Sequence, residues 1–279
     1  MRVLVIGGDE IVGHLLIPYL LERTPYEVFC TTRQKSLLPK GLYLDANDDV
    51  MVEKLIDIVA PDVIVNGTSI VNDMARQREV EAYRINGLLP HQLVRLANRH
   101  NIRLIHMSTD GVFSGQRGLY EERHIPEGTS VYAKTKALGE INQSRHITIR
   151  TSLIGPEPDA AGIGLLDWFL RQKGDIRGFV NVMWNGVTSL ELAKFIHFTL
   201  EQGKHLSGIV HLTSPEIISK YDLLLMLQQL FHRNEIRIHP YDGIELDRTL
   251  KCTRQDIDYE VPSYASMLSE LLEFMRIAW

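Results

Sequence analysis

The sequence has little of what marks secreted, metal-dependent or membrane proteins. Its 279 residues include two cysteines, Cys30 and Cys252, with no CxxC pair, so we expect a reducing compartment rather than a disulfide framework. Eleven scattered histidines form no HExxH motif, which argues against a zinc site and predicts no bound metal. No apolar run approaches the roughly 18 residues that cross a bilayer, and no signal-peptide pattern opens the chain. We therefore expect a cytoplasmic protein with no membrane partner.

An excess of positive charge is also absent. Thirty Lys and Arg residues against thirty-five Asp and Glu residues give a net charge of −5 with histidine neutral. Nucleic acids and anionic membranes are bound by basic faces, so neither is an expected partner. Hydrophobic residues (44%) and charged residues (23%) are balanced as in ordinary globular proteins. The length predicts one large domain or two interleaved ones.

The first half of the sequence alternates between strand-type and helix-type segments. Short apolar runs predict buried parallel strands at residues 2–6, 27–31, 63–65, 102–107 and 147–150. Apolar residues at helical spacing predict intervening helices at residues 11–21, 49–58, 79–100 and 132–143. This alternation predicts an α/β fold with a doubly wound parallel sheet of the Rossmann type, covered by helices on both faces.

Glycines cluster where the first predicted strand turns into the first predicted helix. Gly7, Gly8 and Gly13 fit a tight turn that lets a dinucleotide pyrophosphate reach backbone N–H groups at the helix N-terminus. Glu10 stands where the middle glycine of that motif belongs, which places a negative side chain near the expected phosphate. A purely structural turn is the alternative, and the position directly after an N-terminal strand favours dinucleotide binding.

The end of the second predicted strand indicates which dinucleotide is bound. It reads Thr31-Thr32-Arg33 and contains no acidic residue. An acidic residue there would suit the ribose 2′-hydroxyl of NADH, whereas an arginine suits the 2′-phosphate of NADPH. Arg33 could equally be a solvated surface residue. In the context of a dinucleotide fold it favours NADPH, with NADH still possible.

After residue 150 the alternation weakens and loop signals become frequent. Three further helices are predicted, at residues 188–200, 219–231 and 266–277. We predict an NADP-binding domain over residues 1–155, to which residues 179–200 return. Residues 156–178 and 201–279 are then expected to form a smaller C-terminal α/β lobe that binds the substrate. Within it, Asp242, Asp247 and Arg248 form a charged loop that could reach a nucleotide phosphate.

A pair of residues on one predicted helix suggests acid–base chemistry. Tyr132 and Lys136 are four residues apart, so both lie on one face of the helix. An adjacent ammonium favours the phenolate, so we expect the pKa of Tyr132 to fall from roughly 10 towards neutrality. Ser108 and Thr109 follow a strand at the edge where parallel sheets bind ligands, and a hydroxyl there could stabilise a developing alkoxide. Each feature alone is also explained without catalysis, by a solvated lysine beside a partly buried tyrosine or by a hydroxyl that caps a helix or turn.

The motifs in their order resemble the extended short-chain dehydrogenase/reductases, and within them the dTDP-4-dehydrorhamnose reductase branch. The separation of 23 positions between Thr109 and Tyr132 fits that family. The segments that carry the resemblance are PDVIVNGTS (61–69), AYRINGLLP (82–90), STDGVFSG (108–115), VYAKTKALGE (131–140), TIRTSLIG (148–155) and WNGVTSLELAK (184–194). The occurrence of all these segments in this order indicates the family far more specifically than any single segment does.

The resemblance implies roles for individual residues. Thr109, Tyr132 and Lys136 match the catalytic trio. The residues implied to bind the cofactor, besides Tyr132 and Lys136, are Gly7, Glu10, Ile11, Val12, Gly13, Arg33, Asp45, Asn66, Gly67, Thr68 and Asn86. The residues implied to contact the substrate are Ser69, Asp110, Gly111, Val112, Phe113, Leu153 and Trp184. Gly111 and Leu153 stand where that branch carries tyrosine and often tryptophan, so we expect a related substrate rather than dTDP-4-dehydrorhamnose itself.

The activity implied by the resemblance is NADPH-dependent reduction of a 4-keto-6-deoxy nucleotide sugar, as in polysaccharide biosynthesis. Hydride would reach C4 and Tyr132 would protonate the oxygen. A nucleotide-sugar epimerase is an alternative, whereas a dehydratase is less favoured because Gly111 stands where those enzymes carry glutamate. A non-catalytic NADP-binding regulatory subunit of the same fold is a further alternative, and Glu10 argues for it. Base rates suggest a homodimer.

Overall fold

The computed structural model of the protein describes residues 1–33, 40–143, 145–158, 162 and 164–278. Within these residues the strands are β1 (Arg2–Ile6), β2 (Glu27–Thr32), β3 (Gly41–Tyr43), β4 (Val63–Asn66), β5 (Arg103–Thr109), β6 (Ile147–Thr151), β7 (Leu153–Ile154), β8 (Gly174–Phe179), β9 (Val182–Trp184), β10 (Val187–Thr188), β11 (Gly208–His211), β12 (Ile218–Ser219), β13 (Ile236–Tyr241) and β14 (Leu246–Asp247). The α-helices are α1 (Ile11–Arg23), α2 (Asp49–Val59), α3 (Asn72–Gln77), α4 (Glu79–Ala82), α5 (Leu89–Arg99), α6 (Val131–Leu138), α7 (Leu165–Arg171), α8 (Ser189–Glu201), α9 (Lys220–Leu230) and α10 (Tyr264–Ala278). A π-helical segment (Tyr83–Leu88) joins α4 to α5, and a 3₁₀ turn (Asp110–Val112) follows β5.

Seven parallel strands form the central sheet, in the order β11-β6-β5-β4-β1-β2-β3. The chain moves from β1 to one edge and then from β4 to the other, which is the doubly wound arrangement. Side chains of β1 alternate between two cores, with Val3 and Val5 in one and Leu4 and Ile6 in the other. A strand buried on both faces reads as a continuous apolar run. The predicted α/β fold is confirmed.

Helices cover both faces of the sheet. On one face α1 packs against α8, and α8 packs against α10. On the other face α2 and α5 contribute Leu55 and Leu93 to the core that contains Leu4. No helix within the described ranges is both long and apolar enough to span a membrane.

The helix α6 is shorter than the predicted one. Its N-terminus is capped by Ser130, whose hydroxyl accepts a hydrogen bond from the backbone N–H of Ala133 at 3.0 Å. It ends at Leu138, whereas the predicted helix continues to residue 143. The next residue, Gly139, contacts the backbone of Asn86. A Cβ atom at position 139 would lie 2.0 Å from the Asn86 carbonyl oxygen, so the contact requires glycine.

The π-helical segment interrupts the single helix that the sequence predicts over residues 79–100. Pro90 has no backbone N–H, so it cannot donate to the carbonyl of Asn86 four residues earlier. The N–H of Leu89 donates instead to the carbonyl of Arg84, five residues back, which is the π-helical pattern. The segment places Asn86 inside the protein, where it is fully buried.

The last strand of the central sheet comes from within the region predicted to be the substrate lobe. β11 pairs with β6, with Gly208 opposite Ile147 and His211 opposite Arg150. Residues 208–211, which lie inside the predicted substrate lobe (201–279), therefore belong to the central sheet. Four residues carry too little periodicity to be recognised in a sequence. The shorter strands form three small sheets, β10 with β7, β12 and β14 with β9, and β13 with β8.

A buried ion pair connects the end of the α6 region to the central sheet. Glu140 and Arg150 form two hydrogen bonds of 2.7 and 2.6 Å, and their side chains are 6% and 1% exposed. Ser108 on β5 donates to the same carboxylate at 2.7 Å, and Arg150 also donates to the carbonyl of Glu122 at 3.2 Å. The bidentate geometry and the extra donors satisfy both charges, as burial requires.

Replacement of Glu140 by alanine should therefore destabilise the protein strongly. The Glu140→Ala substitution leaves the Arg150 guanidinium buried without its counter-charge, which typically costs about 3–5 kcal/mol. Glu53→Ala is a matched control, because Glu53 pairs with Arg99 at the surface and such pairs contribute at most about 1 kcal/mol. Urea-induced unfolding measures both. Equal effects of the two substitutions would contradict the structural role of the buried pair.

Candidate active site

Two glycines shape the turn between β1 and α1. Gly7 has a φ of 88°, and a Cβ atom there would lie 2.9 Å from the backbone nitrogen of Thr68. A Cβ atom at Gly13 would lie 2.2 Å from the Gly7 carbonyl oxygen. Both positions therefore require glycine. The N–H groups of Ile11 and Val12 belong to the first turn of α1 and have no acceptor within the helix, which suits a phosphate ligand.

Glu10 precedes this helix and points inward. Its side chain does not cap α1; Oε1 accepts a hydrogen bond from Arg33 Nη2 at 2.7 Å. The side chain is 17% exposed, and burial raises the pKa of Glu10 to about 7 although Arg33 opposes the shift. The charge of Lys136 also acts on this carboxyl group. Glu10 is therefore a partly buried acid at the place where phosphate would approach the turn.

Arg33 lies at the end of β2 and is held by two acidic residues. In addition to its bond with Glu10, its Nε lies 3.8 Å from Asp9 Oδ2 and its backbone N–H donates to the same oxygen at 3.1 Å. It is therefore an ion-paired group rather than an isolated surface cation. One cavity at the carboxyl ends of β1, β2 and β4 brings together five of the predicted residues: Gly7, Arg33, Asp45, Thr68 and Ser69.

Asn66 and Gly67 shape the end of β4 from inside the protein. Asn66 is fully buried, its Nδ2 lies 3.2 Å from His106 Nδ1, and its Oδ1 accepts from the N–H of Thr68 at 3.3 Å. A Cβ atom at Gly67 would lie 3.0 Å from Val12 Cβ. The two predicted binding residues thus hold the strand end in place, and Thr68 reaches the cavity.

Asn86 connects the loop after β4 to the helix α6. Its Oδ1 accepts from the N–H of Ile70 at 2.8 Å and from the Ser69 hydroxyl at 3.3 Å. Its Nδ2 donates to the Ile70 carbonyl at 2.8 Å and to Thr135 Oγ1 at 3.1 Å. The amide is therefore fully engaged by the protein, and Asn86 acts as a positioning residue.

Three hydroxyl groups meet beside the ends of β4 and β5. The Tyr132 hydroxyl interacts with those of Thr109 and Ser69. Thr109 Oγ1 also accepts from the N–H of Gly111 at 3.0 Å and donates to Asp110 Oδ1 at 3.1 Å. Burial raises the pKa of Tyr132 to about 12, and the two hydroxyls reverse only part of that shift. The predicted lowering of this pKa is wrong, because burial penalises the phenolate more than its hydroxyl contacts favour it.

Lys136 lies one helical turn after Tyr132 and is almost fully buried. Its Nζ donates to the carbonyl of Met107 on β5 at 2.6 Å. Burial lowers the pKa of Lys136 to about 8, while the charges of Glu140 and Glu10 act in the opposite direction. The ammonium is thus directed at the backbone of β5 rather than at the phenol.

Asp110 and Gly111 follow Thr109 and lie beside the hydroxyl group cluster. Burial raises the pKa of Asp110, and the positive charges of Lys220 and Arg248 oppose that shift. A Cβ atom at Gly111 would lie 3.2 Å from Thr109 Oγ1 and 3.4 Å from a ring carbon of Tyr132. The absence of a side chain at position 111 therefore leaves space next to the tyrosine.

Val112 and Phe113 face the interior rather than a substrate. Both are fully buried, in a small cluster with Tyr120 and Leu250. Phe113 stacks on Tyr120 with ring centroids 4.1 Å apart. The 3₁₀ turn directs these side chains inward, so the structure does not place them where the resemblance implied.

Leu153 and Trp184 lie in the packed region around the small sheets. Leu153 pairs with Val187 between β7 and β10 and packs against the main core. Trp184 is 3% exposed and stacks on Tyr264 with ring centroids 5.3 Å apart. Lys220 Nζ lies 4.4 Å from the centroid of the Trp184 ring. Neither predicted residue offers a large exposed surface to a substrate.

Lys220 was not predicted as a site residue, although its charge acts on Asp110. The sequence predicts a helix over residues 219–231 but no role for the basic residue at its start. The signal was present in the spacing of Ser219 and Asp222, which form a capping box and so place residue 220 in the first helical turn.

The structure thus forms two adjacent zones at the carboxyl edge of the sheet. The glycine-shaped turn and its cavity fit the pyrophosphate and adenosine of a dinucleotide, whereas the carboxyl groups of Glu10 and Asp9 beside the turn oppose phosphate. The hydroxyls of Thr109 and Tyr132, backed by the buried Lys136, can donate hydrogen bonds and a proton to an oxygen of a bound molecule.

Comparisons with known proteins agree with this arrangement. The family model described as RmlD substrate binding domain matches residues 1–253. The dTDP-4-dehydrorhamnose reductase of Aggregatibacter actinomycetemcomitans is 30% identical over 239 residues, which cover 81% of this chain and 78% of that protein. The dTDP-4-keto-6-deoxy-D-glucose reductase of Streptomyces niveus is 27% identical over 256 residues, which cover 86% and 82%.

Solved structures share the fold over nearly the whole chain. A hypothetical dTDP-4-dehydrorhamnose reductase from Sulfolobus tokodaii has a TM-score of 0.79 and 26% identity, covering 94% of this chain and 98% of that one. The Bacillus anthracis dTDP-4-dehydrorhamnose reductase in complex with NADP has a TM-score of 0.82 over 98% of each chain, and at 18% identity it supports the fold alone. The resemblance inferred from the sequence motifs is confirmed, and the chain belongs to the RmlD substrate binding domain family.

Proposed function

We propose that this protein is an NADPH-dependent reductase of a 4-keto-6-deoxy nucleotide sugar. The observation that carries the proposal is the convergence of the Thr109, Tyr132 and Ser69 hydroxyls beside the dinucleotide-type turn. Relatives named as dTDP-4-dehydrorhamnose reductase and dTDP-4-keto-6-deoxy-D-glucose reductase support it. The sugar is expected to differ from dTDP-4-dehydrorhamnose because Gly111 and Leu153 alter two positions implied to border it.

The residues of the turn would hold the cofactor. Gly7 and Gly13 allow the close approach of the pyrophosphate, and the N–H groups of Ile11 and Val12 would donate to it. Arg33 would bind the 2′-phosphate and Asp45 would lie near the adenosine. When bound, NADPH supplies the hydride for the keto carbon.

The raised pKa of Tyr132 suits a proton donor. At neutral pH the phenol keeps its proton, because its pKa is about 12. An alkoxide is far more basic than a phenolate, so Tyr132 can give that proton to the oxygen that forms on reduction. Thr109 would turn its one hydroxyl proton from Asp110 Oδ1 to the same oxygen when the substrate binds, and so polarise the carbonyl. Lys136 would supply positive charge and bind the nicotinamide ribose.

The proposal includes an assignment of the chain to two regions, one that binds NADP and one that binds the substrate. We assign residues 1–155, together with 179–200 and β11, to the NADP-binding domain. Residues 156–178 and the remainder of 201–279 would form the lobe that holds the nucleotide sugar. The packing of α8 against α1 and the pairing of β11 with β6 support this assignment.

The function is tested by following NADPH oxidation with a panel of 4-keto-6-deoxy nucleotide sugars made in situ. We expect oxidation with at least one sugar, and slower oxidation when NADH replaces NADPH. Tight NADPH binding without oxidation on any sugar would contradict the reductase and favour the non-catalytic regulatory subunit. Oxidised NAD that co-purifies with the protein would favour the epimerase.

The Tyr132→Phe substitution should separate catalysis from binding. Loss of the phenolic proton donor removes a contribution of about 100-fold or more from turnover, while the NADPH dissociation constant should stay within about threefold. Stopped-flow turnover and calorimetric titration provide the two values. Tyr241→Phe, on β13, is the matched control and should change neither. Equal losses of turnover and NADPH affinity in Tyr132→Phe would remove the proton-donor role.

Glu10 should make NADPH binding depend on pH. Its pKa of about 7 is raised further by an adjacent phosphate, so binding takes up a proton. Affinity should therefore be greatest below pH 7 and decrease by up to about tenfold per unit as pH rises through about 7–8. The Glu10→Gln substitution removes this titration and should flatten the profile. The 2′-phosphate titrates in both proteins and cancels in the comparison, so parallel calorimetric profiles would contradict the role of Glu10.

A further inference from the structure

His106 on β5 is fully buried beside the end of β4. It lies opposite Asn66 in the parallel register of the two strands, and its Nδ1 lies 3.2 Å from Asn66 Nδ2. The other polar atom of that amide, Oδ1, accepts a hydrogen bond from the N–H of Thr68 at 3.3 Å. Two hydrogen bonds in series therefore connect the interior of the sheet to the cavity that Thr68 lines.

The same two hydrogen bonds determine where the imidazole carries its proton. The side-chain NH2 group of Asn66 can only donate, so Nδ1 of His106 must be the unprotonated acceptor. The neutral ring then carries its proton on Nε2. Burial holds the pKa of His106 well below its ordinary value, and the charge of Lys136 acts in the same direction. The ring therefore stays neutral at physiological pH and keeps its acceptor for Asn66.

Packing alone does not explain a histidine at this position. Its Nε2 is buried without a hydrogen-bond partner among the residues that the structure describes. A buried donor of this kind usually lowers stability, because it has lost its hydration. An apolar side chain would avoid that penalty, as the fully buried Leu104 and Ile105 do on the same strand. The hydrogen bond to Asn66 is therefore the feature that distinguishes His106 from an ordinary core residue.

The Thr68 N–H at the end of this series lies against the glycine turn. A Cβ atom at Gly7 would lie 2.9 Å from the Thr68 nitrogen and 3.0 Å from its Cα, so the two backbones are in close contact. The N–H of the neighbouring Gly67 donates to the carbonyl of Ile6 at 2.9 Å and joins the same strand end to β1. A displacement of Thr68 therefore changes the shape of the turn between β1 and α1.

We propose that His106 is a positioning residue for NADPH: through Asn66 it fixes the backbone of Thr68 against Gly7 and so sets the shape of the pyrophosphate turn. The inference rests on the proposed function in one respect, since it assumes that NADPH is the ligand of this turn. His106 acts through Asn66 rather than by contact with the cofactor. Its loss is therefore expected to weaken cofactor binding.

Two substitutions of His106 separate the hydrogen bond from the burial of a polar group. The side-chain oxygen of asparagine can take the place of Nδ1, whereas the amide of glutamine reaches the place of Nε2. His106→Gln should therefore lose the bond to Asn66 and raise the NADPH dissociation constant about five- to tenfold. His106→Asn should restore the acceptor and stay within about twofold of the wild type. Calorimetric titration of the intact protein provides these values.

Hydrogen exchange of the Thr68 amide tests the same bond without any ligand. Measured by NMR, exchange should be about tenfold faster in His106→Gln than in the wild type, because the acceptor of this N–H is no longer held in place. His106→Asn should keep the wild-type rate. Equal rates in all three proteins would contradict the proposed coupling.

His146→Gln is the matched control for the loss of a buried histidine contact. His146 is also fully buried; its Nδ1 accepts from the N–H of Leu104 at 3.1 Å, and its Nε2 lies 3.1 Å from Asn98 Oδ1. It directly precedes β6 and so lies at the amino end of the sheet, away from the cavity. His146→Gln should lower stability towards urea, as His106→Gln does, but leave the NADPH dissociation constant within about twofold of the wild type.

The proposal is overturned if His106→Gln binds NADPH within about twofold of the wild type, or if His106→Asn or His146→Gln weakens binding as much as His106→Gln does. A wild type that binds no NADPH overturns it together with the proposed cofactor. The expected pattern of NADPH binding, with no sugar in the panel reduced, would support the positioning role and remove the reductase. Reduction of a sugar, with NADPH binding unchanged in His106→Gln, would support the reductase and remove the positioning role.

Discussion

The buried ion pair between Glu140 and Arg150 is the contact on which the geometry of the site depends. It joins the chain just after α6, which carries the tyrosine and lysine, to β6, and Ser108 brings in β5 directly before Thr109. Glu140 also acts electrostatically on Lys136 four residues earlier. A single pair of charges therefore fixes the relative positions of the hydroxyls and sets part of the electrostatic environment of the ammonium. Its burial is tolerable because additional donors and acceptors surround both groups.

The uncharged side-chain amide of Asn86 also fixes the relative positions of elements around the site, through hydrogen bonds. The proline that follows it in α5 produces a π-helical segment, and that segment turns the amide towards the loop after β4 and towards α6. Ser69 is thereby held where it meets Tyr132. The helix irregularity and the hydroxyl cluster are thus parts of one arrangement, since a regular helix would direct the side chain at position 86 elsewhere.

Local patterns in the sequence predicted the strands of the sheet, the glycine turn and the helix that carries Tyr132 and Lys136, because each depends on residues close together in the chain. The apolar run of β1 and the Tyr132–Lys136 spacing are of this kind. What could not be predicted depends on distant contacts. The pKa of Tyr132 rises because other elements bury it, and the inward direction of Phe113 depends on Tyr120 and Leu250. The ion pair of Glu10 with Arg33 joins the turn after β1 to the end of β2.

The position of β11 at the edge of the sheet has a consequence for how the chain is made. β6 is complete at Thr151, but the strand that covers its outer edge begins only at Gly208. During synthesis on the ribosome, the backbone N–H and C=O groups along the outer edge of β6 therefore stay unpaired while more than fifty further residues are added. A strand with an open edge is a template for pairing with another chain. The nascent protein is most vulnerable to aggregation in this interval, and slow translation between β6 and β11 would lengthen its exposure.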